Sequence, residues 1–374
     1  MNLKALKAYL DTMNKRGIPG CCIVVRQRGK RLLGYGSGAS NLDSSVAFTP
    51  DTLCYVYSCT KVVTCVAALR QYEEGKFLLD DPVDAFLPEF SQMRVRITLP
   101  NGEVEERIAR ERMTIRHLFT MTSGLDYNLH SPAIDMARKK PGLTTREGVK
   151  ALAKEPLLFE PGTHWYYGLS HDVLAALVEV WSGMRFGDFL HKSIFAPLGM
   201  KDTSFLLNQK EKQLATLYTY SGDNNQPEAI APDLPYRFGS EYESGGAGLI
   251  STAEDMARFA DALACDGISP DGYRMLAPST VNLMRMNQLK GQVARDFNWL
   301  AGYGYGLGVR TLVDGAQAGV GGPSCEFGWS GAVGVYLSAD PANGVSVYYA
   351  QHVLNYPLNI HGKLRNLVTA GLQT

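Results

Sequence analysis

The two ends of the chain constrain its fold more than anything between them. Residues 21–36, CCIVVRQRGKRLLGYG, alternate around a turn at Arg28-Gly29-Lys30, which is a β-hairpin pattern. Near the other end, GAVGVYLSAD and GVSVYYAQH are two β-rich runs joined by PANG, a second hairpin. The stretch between is mostly helical in pattern. VVTCVAALRQYEEGK, after Ser58, has helical periodicity and a stop at Gly75. LDDPVDAFLPEF reads as a turn and a short helical piece. MTIRHLFTMTSGL predicts a helix ending at Gly124, SHDVLAALVEVWSG one ending at Gly183, and FGDFLHKSIFAPLGM a third. STAEDMARFADAL opens with a capping-box pattern, Ser251 or Thr252 followed by Glu254 or Asp255. An amphipathic helix starts the chain, and a helix from Leu358 to Leu372 closes it. The simplest arrangement pairs the terminal hairpins in one antiparallel sheet. It gives an α+β fold with a discontinuous sheet domain, residues 1–85 and 236–374. Residues 86–235 form an inserted helical domain, with a cleft between the two.

Charge and cysteine content narrow the function. Lys plus Arg and Asp plus Glu each number 37, so net charge offers no case for nucleic acid or an anionic membrane. The N-terminal segment has no uninterrupted apolar core of the secretory kind, and no run is apolar enough to span a bilayer. The seven cysteines are odd in number and lack zinc-site spacing. They read as free thiols in a reducing compartment, so a cytoplasmic location is expected. Cys59 is a nucleophile by residue type, but unpaired cysteines are commonly inert core residues.

The chemistry concentrates at residues 57–62, YSCTKV. With Ser58 in the first turn of a helix, Lys61 falls one turn on, on the same face. The position also offers free backbone N–H groups and the positive helix end to an anion. A serine hydroxyl needs a base to take its proton, and a neutral lysine can be that base. Taken alone, the pattern fits a capping serine and a solvated lysine as well. Other schemes find less support. There is no Gly-x-Ser-x-Gly run, no His-Glu-x-x-His pair and no phosphate-binding loop. His171 and Asp172 are neighbours on a helix and point apart, so a surface or packing role is expected of them.

SCTKVVTCVAALRQYEEGKFLLDDPVDAFLPEF resembles the nucleophile segment of the serine β-lactamase-like hydrolases. That superfamily takes in class C β-lactamases, low-molecular-weight penicillin-binding proteins, D-aminopeptidases and family VIII carboxylesterases. MTIRHLFTMTSGL, PGTHWYYGLSHDVLAALVEVWSG and GWSGAVGVYLSADP are similar to three further family segments, in the family's order. The resemblance covers the chain from about residue 15 to the end. It implies the β-lactamase/transpeptidase-like fold, an antiparallel sheet flanked by helices. It implies Ser58 as acylated nucleophile and Lys61 as its partner in proton transfer. Pro161, Gly162, Thr163, Trp165, Leu169, Asp172, Val173 and Leu174 match the esterase branch without a gap, which puts the family's catalytic tyrosine at Tyr167 and leaves Tyr166 to packing.

Two departures bear on substrate. The family's Tyr-x-Asn box is Tyr167-Gly168-Leu169 here, without the asparagine amide that helps bind an acylamide chain. Where lactamases and penicillin-binding proteins carry Lys-Thr-Gly, this chain has Trp329-Ser330-Gly331, close to the Trp-Gly-Gly of family VIII carboxylesterases. Leu169, Trp329, Ser330 and Gly331 are the expected substrate-binding residues, and the backbone N–H groups of Ser58 and Ala332 the expected oxyanion hole. The resemblance implies no metal and no organic cofactor. It points to a small-molecule ester or amide substrate. An esterase on small or medium acyl esters is favoured over a β-lactamase or D-amino-acid peptidase, an acyltransferase, or an inactive binding module. Residues 130–148 and 218–246 are expected as loops bordering the cleft, with Glu241, Tyr242 and Glu243 approaching it.

Overall fold

The computed structural model describes residues 2–207, 209–220, 226–321, 324–357 and 359–372. Strands β1 (Gly20–Gln27) and β2 (Lys30–Asn41) form the first hairpin, with Arg28 and Gly29 both at positive φ in its two-residue turn. The short β3 (Val46–Ala47) pairs with β2. The later strands of the sheet are β4 (Tyr303–Tyr305), β5 (Arg310–Leu312), β6 (Phe327–Ser330), β7 (Tyr336–Asp340) and β8 (Val345–Gln351). All eight form one antiparallel sheet in the order β4-β5-β6-β7-β8-β1-β2-β3. The two terminal hairpins meet where β1 pairs with β8, from Cys21 opposite Gln351 to Gln27 opposite Val345.

Helices cover both faces of the sheet, and that explains why β1 is apolar at nearly every position. Cys22 and Val24 join the main core, while Cys21, Ile23 and Val25 join a second cluster on the other face. The second cluster is closed by α1 (Lys4–Leu10) and by the C-terminal helix, His361–Leu372, through Leu6, Leu10, Leu364 and Val368. On the main-core side, Ala253–Ala264 packs on β1, β7 and β8; Thr252 caps it by accepting the Asp255 N–H at 3.1 Å. Helix α2 (Thr60–Glu73) lies deeper. It is buried on nearly all sides and is capped by Glu74 before the left-handed Gly75. Against it packs Ser170–Ser182, closed by a left-handed Gly183. The main core is continuous from Val24 in the sheet through Val66 to Leu177.

Several expectations are corrected. The helix expected to reach Gly124 covers only Ile115–Phe119. The middle of the chain also holds a hairpin, Arg94–Thr98 against Val104–Ile108. Residues 130–148 are not simply a loop, since they contain the helix Pro132–Arg138 and the start of Thr145–Leu152. Two short strands, Tyr218–Tyr220 and Pro227–Ala229, lie within 218–246, whose residues 221–225 fall outside the described residues. Leu358, the expected start of the last helix, also lies outside them, and the helix begins at His361.

Candidate active site

The approach to Ser58 is held from both sides. Cys54–Tyr55 pairs with Ile250–Ser251, and the Val56 N–H donates to the Leu249 carbonyl at 3.0 Å. Tyr57 then takes φ 43°, a left-handed conformation that costs a bulky residue energy and persists only where its surroundings impose it. Here the Tyr57 ring is wedged edge-on between Tyr55 and Tyr236. Ser58 follows in a 3₁₀ turn that runs directly into α2. One turn on, Lys61 is 1% exposed, and its Nζ lies 3.4 Å from Ser58 Oγ and 2.8 Å from the Gly246 carbonyl it donates to. The helical spacing thus brings Ser58 and Lys61 together as expected. Cys59 points the other way. It is fully buried, its thiol faces the Trp329 carbonyl at 3.8 Å, and burial pushes its pKa up to about 12.

Tyr167 arrives on a loop that the short Ile115–Phe119 helix makes room for. Met121 turns to φ 57°, and its carbonyl accepts the Tyr166 N–H at 2.9 Å. The Thr122 carbonyl accepts the Gly162 N–H at 2.7 Å. Gly168 passes so close to Leu125 that a Cβ there would lie 2.0 Å from the Leu125 carbonyl oxygen. Tyr167 stacks on Trp329, with ring centroids 5.6 Å apart and planes 17° apart, and the indole N–H donates to the phenol oxygen at 3.1 Å. The Lys61 ammonium stands 4.5 Å from the centre of the Tyr167 ring. Burial raises the Tyr167 phenol well above its ordinary value, against the pull of hydrogen bonds to Ser58 and Trp329. Tyr166, expected to pack, is instead 41% exposed.

Two further groups enter the site that the sequence reading did not assign to it. Tyr127 lies 5.6 Å ring-to-ring from Tyr167 and 5.6 Å from the Lys61 ammonium. The Lys61 charge draws its phenol down, but burial and the neighbouring Tyr167 and Asp172 leave it raised. Asp172 is buried in the first turn of Ser170–Ser182 and accepts the Tyr242 hydroxyl at 3.0 Å. It and Lys61 flank Gly246, where a Cβ would lie 2.5 Å from Asp172 Oδ2 and 3.5 Å from Lys61 Nζ. Burial raises its carboxyl, opposed by Ser244, Lys61, Tyr242 and the Gly246 N–H. A lone acid in the apolar helix DVLAALV was the available sequence signal. His171 has the packing role expected, buried against Cys65 at 3.6 Å with its pKa lowered to about 3 by burial. Of residues 241–243, Tyr242 backs the site through Asp172, whereas Glu241 and Glu243 pair with Arg185.

The end of β6 closes the site. A Cβ on Gly331 would meet the Val56 carbonyl at 2.5 Å and the Ser58 nitrogen at 3.3 Å, so only glycine lets this strand end lie against the Ser58 backbone. Ala332 follows, exposed, and its N–H makes no hydrogen bond among the described residues. Trp329, Ser330, Gly331 and Ala332 line a cavity of about 630 Å³ that extends past Trp299 to Ile360. Leu169 is not part of that wall; it is buried and borders a separate small cavity with Leu125, Asp126 and Ile134.

Known proteins resemble this chain in sequence and in fold. The Beta-lactamase family profile matches residues 6–359. Acyltransferase mokF of Monascus pilosus is 31% identical over 308 residues, covering 79% of this chain and 73% of its own. Esterase EstB of Burkholderia gladioli is 29% identical over 382 residues, covering 93% and 90%. The solved structure of EstCE1, described as a hydrolase with promiscuous acyltransferase activity, superposes with a TM-score of 0.81 at 25% identity, over 98% of both chains.

Proposed function

The chain belongs to the beta-lactamase family, and we propose that within it the protein is a serine esterase acting on small or medium acyl esters through an acyl-enzyme on Ser58. The substrate lies in the cleft between the sheet domain (1–85 and 236–374) and the helical domain (86–235). In the reactive form Lys61 is a neutral amine, and Ser58 Oγ attacks the ester carbonyl carbon as its proton passes to the Lys61–Tyr167 pair. The carbonyl oxygen takes up the negative charge between the N–H groups of Ser58 and Ala332; a donor of this kind typically supplies about 3–4 kcal/mol of transition-state stabilisation. Collapse breaks the bond to the alcohol oxygen, which leaves with the proton returned through Tyr167. Water, deprotonated by the same pair, then attacks the acyl-enzyme and releases the acid. Such proton transfer typically contributes roughly 10²–10⁴-fold.

The observation that carries the ester reading is the Trp329 indole. It occupies the position of the third-box lysine, stacks on Tyr167 and donates to its oxygen at 3.1 Å, so that box offers no fixed positive charge to a substrate carboxylate. A rate comparison between p-nitrophenyl butyrate and nitrocefin tests it. Ester cleavage well ahead of nitrocefin is expected, and the reverse order overturns the reading. A fluorophosphonate adds its mass to Ser58 in the wild type and not in Ser58→Ala; an unlabelled wild type points instead to an inactive binding module.

Acyl transfer to an alcohol is the second reading. It is favoured by the relatives, among them an acyltransferase at 31% identity and a hydrolase described as a promiscuous acyltransferase. The same acyl-enzyme serves both, and only the second nucleophile differs. Product analysis with an added alcohol distinguishes them: new ester formed at the expense of free acid marks transfer.

A further inference from the structure

Of the four tryptophans, Trp165, Trp181 and Trp329 are each under one-tenth exposed, whereas Trp299 is 53% exposed. Its exposure is not that of a loose surface side chain. Its ring lies 5.0 Å from Trp165, 5.2 Å from Tyr167, 6.1 Å from Trp329 and 6.5 Å from Phe297. Four rings surround it, and Trp299 is also part of the wall of the 630 Å³ cavity that includes Trp329, Ser330, Gly331 and Ala332. A rigid, half-open aromatic surface forgoes burial in the free protein and loses little rotamer freedom when a ligand covers it.

We propose that Trp299 and the adjoining cavity form the alcohol subsite, and that it selects esters of aromatic alcohols such as the benzyl type. The inference rests on the esterase reading above. The leaving oxygen takes its proton from Tyr167, so it lies at the Tyr167 hydroxyl. The Trp299 ring is packed against the Tyr167 ring, and the group bonded to the leaving oxygen passes next to it. A flat aromatic group stacks there with the ring arrangement the cluster already uses, and an aromatic pair gains on the order of three- to tenfold in affinity over an aliphatic group of similar area.

Benzyl butyrate and cyclohexylmethyl butyrate share an acyl group and nearly share a shape, but only one carries a π-face. Wild type is expected to prefer the benzyl ester about three- to tenfold in kcat/KM. Trp299→Phe retains most of that ratio, and Trp299→Leu brings it close to one. Fluorophosphonate labelling of Ser58 counts folded sites in each variant, so poor folding does not imitate lost selectivity. Turnover of both esters at a wild-type ratio near one, or a ratio untouched in Trp299→Leu, overturns the subsite and leaves the esterase reading standing. Labelled enzyme that turns over neither ester overturns both.

Discussion

Trp329 makes two separable contacts with Tyr167, a ring stack and an N–H donor to the phenol oxygen. Trp329→Phe keeps an aromatic face and removes the donor. A single hydrogen bond of this kind contributes about 1 kcal/mol, so kcat/KM is expected to fall roughly fivefold to tenfold. The pH profile carries the sharper readout. A donor to the phenol oxygen favours the anion, so its loss raises the Tyr167 phenol further and moves the limb of the rate profile that reports this phenol to higher pH. A drop in rate with an unmoved limb would mean that the indole acts by packing alone. The Ser58–Lys61 pair was legible in sequence because three residues along a helix fix the geometry whatever lies around it. Tyr167 needed the resemblance, since its place depends on how a distant loop docks. Tyr127 and Asp172 were not assigned to the site, because their approach to Lys61 spans 66 and 111 positions of sequence and leaves no local periodicity.

At the level of elements, the site depends on where a helix stops. The sequence MTIRHLFTMTSGL carries its obvious stop at Gly124, yet Ile115–Phe119 ends earlier because Met121 turns left-handed and gives its carbonyl to the Tyr166 N–H. That choice is tertiary and has no local signature. The hairpin at 94–108 escaped notice for a related reason. Most of its residues face solvent, so the alternation that marks a half-buried strand is weak, although Asn101-Gly102 signals the turn. The terminal hairpins are plain in the sequence because β1, β7 and β8 are buried along most of their length. The docked Tyr167 loop tolerates little. Gly168→Ala sets a methyl against the Leu125 carbonyl, where the ideal position is 2.0 Å away, so the loop must shift and take Tyr167 with it. A displacement of about 1 Å in such a site costs on the order of a hundredfold in rate. The expected result is a large fall in kcat and in fluorophosphonate labelling by a protein whose circular dichroism is still native. Full activity in this variant would show that the loop is free to yield.

Across the whole molecule, three histidines are neutral: His171 and His352 are buried, and His361 is part-buried at the wall of the 630 Å³ cavity. Burial lowers His171 to about 3 and both His352 and His361 to about 4, the last two against backbone carbonyls that favour the charged form. Their ordinary value of about 6.5 returns on unfolding, so in mild acid the unfolded chain binds more protons than the native one. Their contribution to stability is complete above about pH 6.5 and is lost as pH falls toward 4. Buried carboxyls run the other way, since Asp172, Glu179 and Asp255 are raised by burial and are easier to protonate folded than unfolded. A bulk acid titration therefore mixes opposing slopes, and a single substitution is needed to separate them. His352 suits the purpose. Its Nε2 accepts the Tyr55 N–H at 3.2 Å and its Nδ1–H donates to the Ala215 carbonyl at 3.0 Å, and a glutamine amide has one acceptor and one donor for the same two partners without a proton to gain. His352→Gln is expected to flatten the loss of unfolding free energy between pH 6.5 and 4 by up to one proton, about 1.4 kcal/mol per pH unit, as read from urea midpoints at several pH values. Parallel curves for wild type and variant would mean that His352 is protonated in the native protein, and the same measurement on His361→Gln would then test whether burial governs the other sheet-side histidine.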